Sequence, residues 1–315
     1  CVKEGLSYSS TPHLVECPGT EPHLKALKTS FKKTYLATSP EMHLKRLLCQ
    51  DWTDFFEIKT CYREEAISPH HQVEFTLLEW YRAFYSSREL MKETYELLLF
   101  LQEKGFCKLF PYKVFTVAEL FKKYLDFSLT PESSKQDLAD LVEKHKLNDL
   151  SYSENRQAFT ESSSHTNEQH YIGSHSRESG NLQRTSFEDI FFLLFLNQIE
   201  PKLPKKTPVF ICNYPPQLRA FAQINQKGWA DRFELYWRGL ELANAFYEVI
   251  DPSEQEKIFQ DHLKERKEGL PLDFELLKDM KRAMPPVSGV ALGLDRLFLA
   301  LFNKKDLKQT RLFPL

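Results

Sequence analysis

Residues 55–65 of the chain read FFEIKTCYREE, and residues 73–81 read VEFTLLEWY. In the first stretch apolar and polar side chains alternate, which is typical of a β-strand with one polar face. The apolar face carries Phe56, Ile58 and Tyr62, and the polar face carries Glu57, Lys59 and Arg63. A short polar loop through Pro69, His70 and His71 joins the two stretches, so they are predicted to form a long antiparallel hairpin.

Capping signals predict helices on both sides of this hairpin. Ser39 is the predicted N-cap of the first helix, with Pro40 at its first position and Glu41 in its first turn. Ser86 and Glu89 have the spacing of a capping box, which starts a second helix after the hairpin.

The C-terminal half continues this mixture of strands and helices. Residues 232–249 are predicted to be extended, and Ser253 with Glu256 is predicted to cap the helix that follows. Residues 288–302 pass from a strand of small side chains through Gly293 into an apolar helix. No internal repeat is visible.

Composition excludes several classes of protein. The 315 residues suit two domains of roughly 150 residues or one large unit. A formal charge of -2 and a pI near 6.6 argue against a broad basic surface that coats nucleic acid. The longest apolar run, residues 190–196, is far shorter than the ~20 residues that cross a bilayer. We therefore expect a cytoplasmic protein that makes no membrane contact.

Other common sites also lack their sequence signals. The chain has 10 glycines and neither a G-x-G-x-x-G nor a Walker-type motif, which excludes the usual glycine-rich nucleotide folds. Its six cysteines include no C-x-x-C pair, which favours reduced thiols over zinc or disulfides. Residues 151–186 are rich in Ser, His, Asn and Glu and are predicted to be a disordered surface insertion.

Two motifs contain an arginine at the end of a predicted strand or just after it. Arg63, followed by Glu64 and Glu65, could bind a phosphate through its planar guanidinium, with a surface ion pair as the alternative. Arg296 lies on the first turn of the last helix, a position that favours an anion. A buried pair with Asp295 is equally compatible with this second motif.

Glu241 and Glu248, with Asn244 between them, form a third polar group. Two carboxylates that meet phosphate oxygens would suit Mg²⁺. However, seven residues is an odd step, so an unbroken strand would place the two carboxylates on opposite faces. They can share a face only if a bulge or a turn intervenes, and two unrelated carboxylates remain the alternative.

In chain order, FFEIKTCYREE…VEFTLLEWY, GLELANAFYE and SGVALGLDRL resemble the catalytic core of the lysine-type class II aminoacyl-tRNA synthetases. The stretches ATSPEMHLKRLL, EFTLLEWYR and LELANAFYE further resemble the elongation factor P lysine ligase family, truncated lysyl-tRNA synthetase paralogues that modify a protein. The resemblance runs from about Thr11 to the C-terminus, interrupted by residues 151–186. It implies an α+β fold, a mainly antiparallel class II sheet flanked by helices, in a single N-terminally short domain over residues 1–315.

The resemblance also implies the roles of individual residues. Arg63 and Arg296 would be catalytic, contacting the α-phosphate and the γ-phosphate of ATP. ATP binding would involve Arg63, Glu64, Glu65, Gln72, Phe75, Glu241, Leu242, Gly293 and Arg296. The amino-acid substrate would be bound by Ser39, Pro40, Glu41, Tyr81, Asn244, Glu248 and Ala291. Glu241 and Glu248 would hold Mg²⁺.

The implied reaction forms an acyl-adenylate from ATP and then transfers the acyl group to a lysine ε-amine of elongation factor P. A lysyl-tRNA synthetase carries an N-terminal anticodon-reading domain, for which the sequence leaves no space, so no anticodon contact is expected. Ala291 stands where those synthetases typically have glycine, which favours (R)-β-lysine as the substrate and leaves α-lysine open, because one methyl group discriminates by only ~1–3 kcal/mol.

Departures from the family leave alternatives open. The first class II motif, which forms the dimer interface, is largely absent before Thr11, so a homodimer is an option rather than a requirement. Gln72 and Val73 stand for asparagine and proline, and Ala245 stands for a common glycine. The alternatives to the ligase are aminoacylation of tRNA or of another acceptor, and a non-catalytic paralogue that binds lysine or ATP.

Overall fold

The predicted hairpin is present in the structure, a computed structural model that describes residues 5–22, 24–65, 67–147, 185–265 and 270–310. The strands are β1 (Ser7–Tyr8), β2 (Leu14–Val15), β3 (Tyr35–Leu36), β4 (Asp54–Tyr62), β5 (Glu74–Ala83), β6 (Lys113–Thr116), β7 (Val209–Tyr214), β8 (Ala230–Trp237), β9 (Leu240–Tyr247) and β10 (Val287–Gly293). The α-helices are α1 (Glu41–Leu48), α2 (Ser87–Glu103), α3 (Val117–Leu125), α4 (Lys135–Lys144), α5 (Phe187–Leu194), α6 (Pro252–Glu265), α7 (Phe274–Met280) and α8 (Leu294–Phe302).

Eight of these strands form one sheet in the order β1-β4-β5-β10-β9-β8-β7-β6. β1 runs parallel to β4, whereas the successive pairs from β4 to β7 are antiparallel. The β4–β5 ladder extends from Asp54 opposite Arg82 to Tyr62 opposite Glu74, which confirms the hairpin. The α+β class II architecture expected from the resemblance is therefore confirmed.

One face of this sheet is apolar and carries the main hydrophobic core. α2 and α8 pack against it. The buried side chains that the central strands contribute are Phe56, Leu78, Trp80, Phe210, Phe233, Leu235, Trp237, Ala243, Ala245, Val290 and Leu292. Because side chains alternate along a strand, the residues between these positions point to the opposite face.

A second hydrophobic cluster covers part of that opposite face. It joins α1, α6 and α7 to the strand end that carries Phe55 and Tyr81. Arg46 of α1 donates from Nε to Asp279 of α7 at 2.9 Å, which fixes the two helices to each other. The rest of the face is left for polar side chains.

The helix starts confirm one capping prediction and correct two. Ser86 and Glu89 form the predicted capping box at α2. The Ser39 cap is wrong, because the carbonyl of Pro40 already accepts the first helical hydrogen bonds and no side chain caps α1. The Ser253 cap of α6 is also wrong: the carboxylate of Asp251 accepts from the Glu254 N–H at 2.8 Å, and a carboxylate is a stronger acceptor than a hydroxyl.

The chain divides into two compact units, Cys1–Phe115 with Pro204–Leu315, and Thr116–Leu203. The first unit contains the central sheet and every predicted site residue. The second contains α3 to α5 and a π-helical turn, Phe195–Ile199. The predicted single domain stays a prediction, and residues 151–184 of the predicted insertion lie outside the described residues.

Two other features can be compared with the sequence analysis. Of the helices in the described ranges, none is both long and apolar enough to span a bilayer. The cysteines at 17, 49, 61, 107 and 212, those that the structure describes, form no disulfide.

Candidate active site

Most of the predicted site residues lie along the polar face of the central sheet. Tyr81 of β5 is opposite Gly289 of β10. Two residues further along β10, Ala291 lies between Glu79 of β5 and Asn244 of β9. Directly paired residues of adjacent strands share a face, so the register brings three distant segments of the sequence together.

A β-bulge gives Glu241 the same face as Asn244. Leu235 of β8 pairs with Ala243, but the next residue, Tyr236, pairs with Glu241, which leaves Leu242 as an extra residue. The extra residue shifts the alternation of side chains along β9 by one position. Glu241 and Glu248 can therefore point to the same face although seven residues separate them. The bulge that the sequence analysis required is therefore present, at Leu242.

Arg63 lies at the end of the face where β4 leaves the sheet. Its backbone N–H donates to the Val73 carbonyl, which extends the hairpin by one bond. Its Nε donates to the Thr38 carbonyl at 3.3 Å, and its guanidinium carbon lies 4.9 Å from the centre of the Phe75 ring. In the described part of the chain Arg63 has no carboxylate partner, so the alternative of a surface ion pair is not observed. Its neighbour Glu64 is exposed.

Arg296 is held in place from two sides. Its NH1 donates to the backbone carbonyl of Glu241 at 3.1 Å and lies 3.5 Å from the carboxylate of the same residue. Its NH2 lies 2.7 Å from Nε2 of His71, and its Nε donates to the His70 carbonyl at 3.4 Å. The neighbouring Asp295 accepts from the Thr76 N–H at 2.6 Å, which ties the start of α8 to β5. These bonds fix the guanidinium over the polar face.

Gln72 is the clearest sign of a ligand site near these arginines. Its side chain is only 4% exposed, yet neither its amide oxygen nor its amide nitrogen has a hydrogen-bond partner among the described residues. Buried polar groups are normally satisfied, so an amide with both ends unpaired requires an explanation, and a bound ligand would provide one beside these arginines. At Gly293, a Cβ would meet its nearest neighbours, in Arg296 and Leu242, at 3.9 Å, which is ordinary van der Waals contact.

The other end of the face is a buried ionic pocket. The ammonium of Lys45 lies 2.7 Å from Oε1 of Glu41 and 2.9 Å from Oε2 of Glu248. It also lies 4.3 Å above the centre of the Phe221 ring. Ser39 and Pro40 precede this group directly, at the start of α1.

Glu79 and Tyr81 complete the pocket from β5. The Tyr81 hydroxyl donates to Oε1 of Glu79 at 2.9 Å. Burial, together with repulsion from Glu41, raises the pKa of Glu79 well above its ordinary value. Burial also raises the pKa of Glu248 to about 8, against the attraction of Lys45, which lowers it. The carboxyl group of Glu248 is therefore largely protonated at neutral pH.

Gly289 leaves the space that the Tyr81 ring and the Glu248 carboxyl group occupy. A Cβ at this position would overlap the ring of Tyr81 and lie 2.9 Å from Oε1 of Glu248. Beside it, the amide oxygen of Asn244 accepts from Arg232 at 2.9 Å, and Arg232 is itself paired with Glu234 at 2.6 Å. This network orients the amide group of Asn244 toward the face.

The structure thus brings the predicted residues together in two groups. The group that the resemblance predicts to bind the nucleotide, named the nucleotide side, contains Arg63, Gln72, Phe75, Glu241, Gly293 and Arg296. The group that it predicts to bind the amino acid, named the amino-acid pocket, contains Glu41, Tyr81, Asn244, Glu248 and Ala291. Leu242 has its side chain in the core, so it can contribute only its backbone. The side chain of Glu65 is half-buried and makes no hydrogen bond or ion pair with the part of the chain that the structure describes.

Sequence reasoning missed four residues that belong to these groups, which are Lys45, Glu79, His71 and Gly289. Lys45 lies four residues after Glu41 on the same helix, a spacing that brings side chains together, so it could have been found. Glu79 lies two residues before Tyr81 on the same strand face. Among the described residues no group of three or more His, Cys, Asp or Glu side chains is arranged to hold a metal ion.

Comparisons with known proteins identify the family of the chain. The family model of class II tRNA synthetases (D, K and N) matches residues 6–315. The elongation factor P–(R)-β-lysine ligase of Buchnera aphidicola subsp. Acyrthosiphon pisum is 32% identical, over 99% of this chain and 90% of the relative. The proteins of the same name from Hamiltonella defensa and Salmonella paratyphi B are each 31% identical, over 98% and 96% of this chain and 89% and 86% of the relatives.

Proposed function

We propose the function of this chain from one premise: it belongs to the class II tRNA synthetases (D, K and N), and within them to the elongation factor P–(R)-β-lysine ligases. On that premise the protein activates lysine or (R)-β-lysine with ATP and transfers it to a lysine side chain of elongation factor P. The observation that carries the proposal is the continuous polar face, on which β10 joins an arginine-containing nucleotide side to a carboxylate-lined pocket.

The two groups divide the first step between them. A carboxylate oxygen of the amino acid attacks the α-phosphorus of ATP, which gives an acyl-adenylate and releases pyrophosphate. Arg63 would stabilise the charge at the α-phosphate and Arg296 the charge at the γ-phosphate, while Gln72 and Phe75 would hold the nucleotide. The pocket of Glu41, Tyr81 and Glu248 would bind an ammonium group of the amino acid, and Asn244 and Ala291 would line it.

In the second step the ε-amine of the acceptor lysine attacks the carbonyl carbon of the adenylate, and AMP leaves as the amide forms. Neither step requires a covalent bond to the protein. Orientation of the reactants and neutralisation of phosphate charge supply the acceleration. We place this reaction in the cytoplasm, with no anticodon-reading contact to tRNA and with a homodimer as an option.

Mg²⁺ would neutralise charge on the phosphate oxygens when it is bound. Glu241 fits the role of a ligand, since its side chain is 39% exposed on the nucleotide side. Glu248 fits it less well, because it is only 1% exposed and its Oε2 lies against the ammonium of Lys45. We therefore propose Glu241 as the main protein ligand of Mg²⁺. Glu248, the other predicted ligand, is less suitable.

Intact-mass analysis of elongation factor P tests the proposal directly. We would incubate the factor with enzyme, ATP and either (R)-β-lysine or α-lysine, and compare it with a sample that lacks ATP. The expected result is an ATP-dependent gain of one lysyl residue, larger with (R)-β-lysine. A factor of unchanged mass with both isomers, together with no amino-acid-dependent exchange of pyrophosphate into ATP, would contradict it.

A further inference from the structure

Lys45 is a cation enclosed inside the site, and the reaction has no evident use for it. Its side chain is 0% exposed, and its ammonium is in contact with two carboxylates and the Phe221 ring. Glu41 belongs to the same helix, but Glu248 follows β9, more than two hundred residues later in the sequence. The ammonium therefore joins two carboxylates that the fold delivers from separate elements.

Acidic side chains outnumber the single ammonium group in this pocket. Three carboxyl groups, those of Glu41, Glu79 and Glu248, and the phenol of Tyr81 face the pocket from α1, β5 and the end of β9. At longer range, Glu21 repels Glu41 and Arg63 attracts it. Burial raises the pKa of Glu79 well above its ordinary value and that of Glu248 to about 8. As the pH rises through the pKa of Glu248, two carboxylates, those of Glu41 and Glu248, face the single ammonium of Lys45, so the pocket can then accept the positive charge of a second ammonium.

We propose that Lys45 is a positioning residue for the amino-acid substrate: it holds Glu41 and Glu248 in the geometry that receives the substrate's ammonium group. This inference rests on the proposed function and deepens it. It assigns to Lys45 an effect on amino-acid binding and none on ATP, because its contacts are all in the pocket.

Electrostatics give the reason why a neutral side chain would not substitute for Lys45. Burial alone favours the protonated, neutral form of Glu248, and the attraction of Lys45 opposes that effect. Without the ammonium, the pKa of Glu248 would rise further, and the carboxyl would be neutral over a wider range of pH. A neutral carboxyl no longer attracts a substrate ammonium.

The test is the Lys45→Met variant, which keeps the length of the side chain and removes its charge. Exchange of pyrophosphate into ATP, measured with (R)-β-lysine and α-lysine between pH 6.5 and 9, gives separate KM values for the amino acid and for ATP. We expect the KM for the amino acid to rise by about tenfold or more, with the KM for ATP within twofold of wild type. The pH at which amino-acid binding improves should also move upward, which a loss of packing alone would not cause.

Lys59→Met is the matched control. Lys59 of β4 is also buried, on the polar face of the sheet, and pairs with Glu57 at 3.4 Å, but its ammonium donates to the Thr11 carbonyl and does not contact the pocket. Its variant should leave the pH dependence of the amino-acid KM in place. If Lys45→Met does not fold, Lys45→Arg keeps the charge with a different shape, and it should raise the amino-acid KM without moving its pH dependence.

Two outcomes would count against the inference, and they can be told apart. Folded Lys45→Met or Lys45→Arg protein with a wild-type amino-acid KM, or with both KM values raised in parallel, would overturn the role of Lys45 alone. Wild-type protein that gives no exchange with either amino acid would overturn the proposed function, and this inference with it.

Discussion

The nucleotide side and the amino-acid pocket lie on one sheet face, but they are built in different ways. Arg296 and Glu241 are 26% and 39% exposed, and backbone carbonyls and a histidine hold the arginine in place. Lys45 and Glu248, by contrast, are almost completely buried and hold each other. One site is open and oriented by hydrogen bonds, while the other is closed and contains an internal ion pair.

The difference follows from what each site would bind. A triphosphate carries several charges and stays partly hydrated, so arginines at an open surface can neutralise it without full desolvation. A carboxylate attracts a single ammonium group only weakly in water. The attraction becomes strong where water is excluded. Exclusion of water also favours the neutral form of the carboxylate, which the Lys45 ion pair counteracts.

The largest expected effect tests the nucleotide side. Arg63→Ala should lower the rate of adenylate formation by ~10²–10³, because it removes the charged donor that we propose for the reacting phosphate. Exchange of pyrophosphate into ATP measures this rate, and the thermal midpoint of unfolding controls for misfolding. An unaffected rate would remove Arg63 from the phosphate site and would leave the pocket as the better supported half.

A pair of glycine variants would separate the two regions from each other. In Gly289→Ala the new methyl group overlaps the Tyr81 ring, so the KM for the amino acid should rise by ~10–100-fold, in line with the cost of overpacking. In Gly293→Ala the methyl group meets no protein atom closer than 3.9 Å, so any rise should appear in the KM for ATP. Equal effects of both variants on both constants would mean that the two regions are not separate sites.

The pH dependence of the wild-type protein gives a smaller effect. Glu248 has its pKa raised from near 4.5 to about 8, so it is mostly neutral at pH 6.5 and becomes charged as the pH rises. The KM for the amino acid should therefore fall, by at most about tenfold per pH unit, between pH 6.5 and 8.5. Steady-state exchange at saturating ATP measures it. A flat profile would show that Glu248 does not control substrate binding.

The smallest effect is a control outside both regions. Ser86→Ala removes the hydroxyl that accepts from the Glu89 N–H in the capping box of α2. It should lower the free energy of unfolding by ~1 kcal/mol, because capping serines typically contribute that amount. Denaturant unfolding measures the loss, and both KM values should stay at the wild-type level. A change in either constant would mean that α2 positions the site as well as the core.

Much of the fold could be predicted from local patterns in the sequence. The alternation in residues 55–63 and the capping box at Ser86 depend on neighbours a few residues apart, and both are present in the structure. The need for a bulge could be deduced from the odd spacing of Glu241 and Glu248. Its position could not, because it depends on how β9 pairs with β8.

The two halves of the candidate site differ in how far sequence reasoning could reach. The arginines and the pocket carboxylates stand in motifs that resemble a known family, so their roles could be predicted from the sequence alone. The contact between His71 and Arg296 joins residues 225 positions apart and has no local signal. Lys45 is easily missed because a lysine on a helix is normally at the surface, and only the tertiary fold buries it.

The extra residue at Leu242 makes the length of β9 as important as its composition. An in-frame deletion of that one codon would straighten the strand and send Glu241 into the hydrophobic interior, even though every catalytic side chain was still encoded. Replacement of Leu242 by another apolar side chain can therefore be tolerated while its deletion is not, and a survey of natural variants or of a deletion library should find β9 constant in length where the surface loops vary.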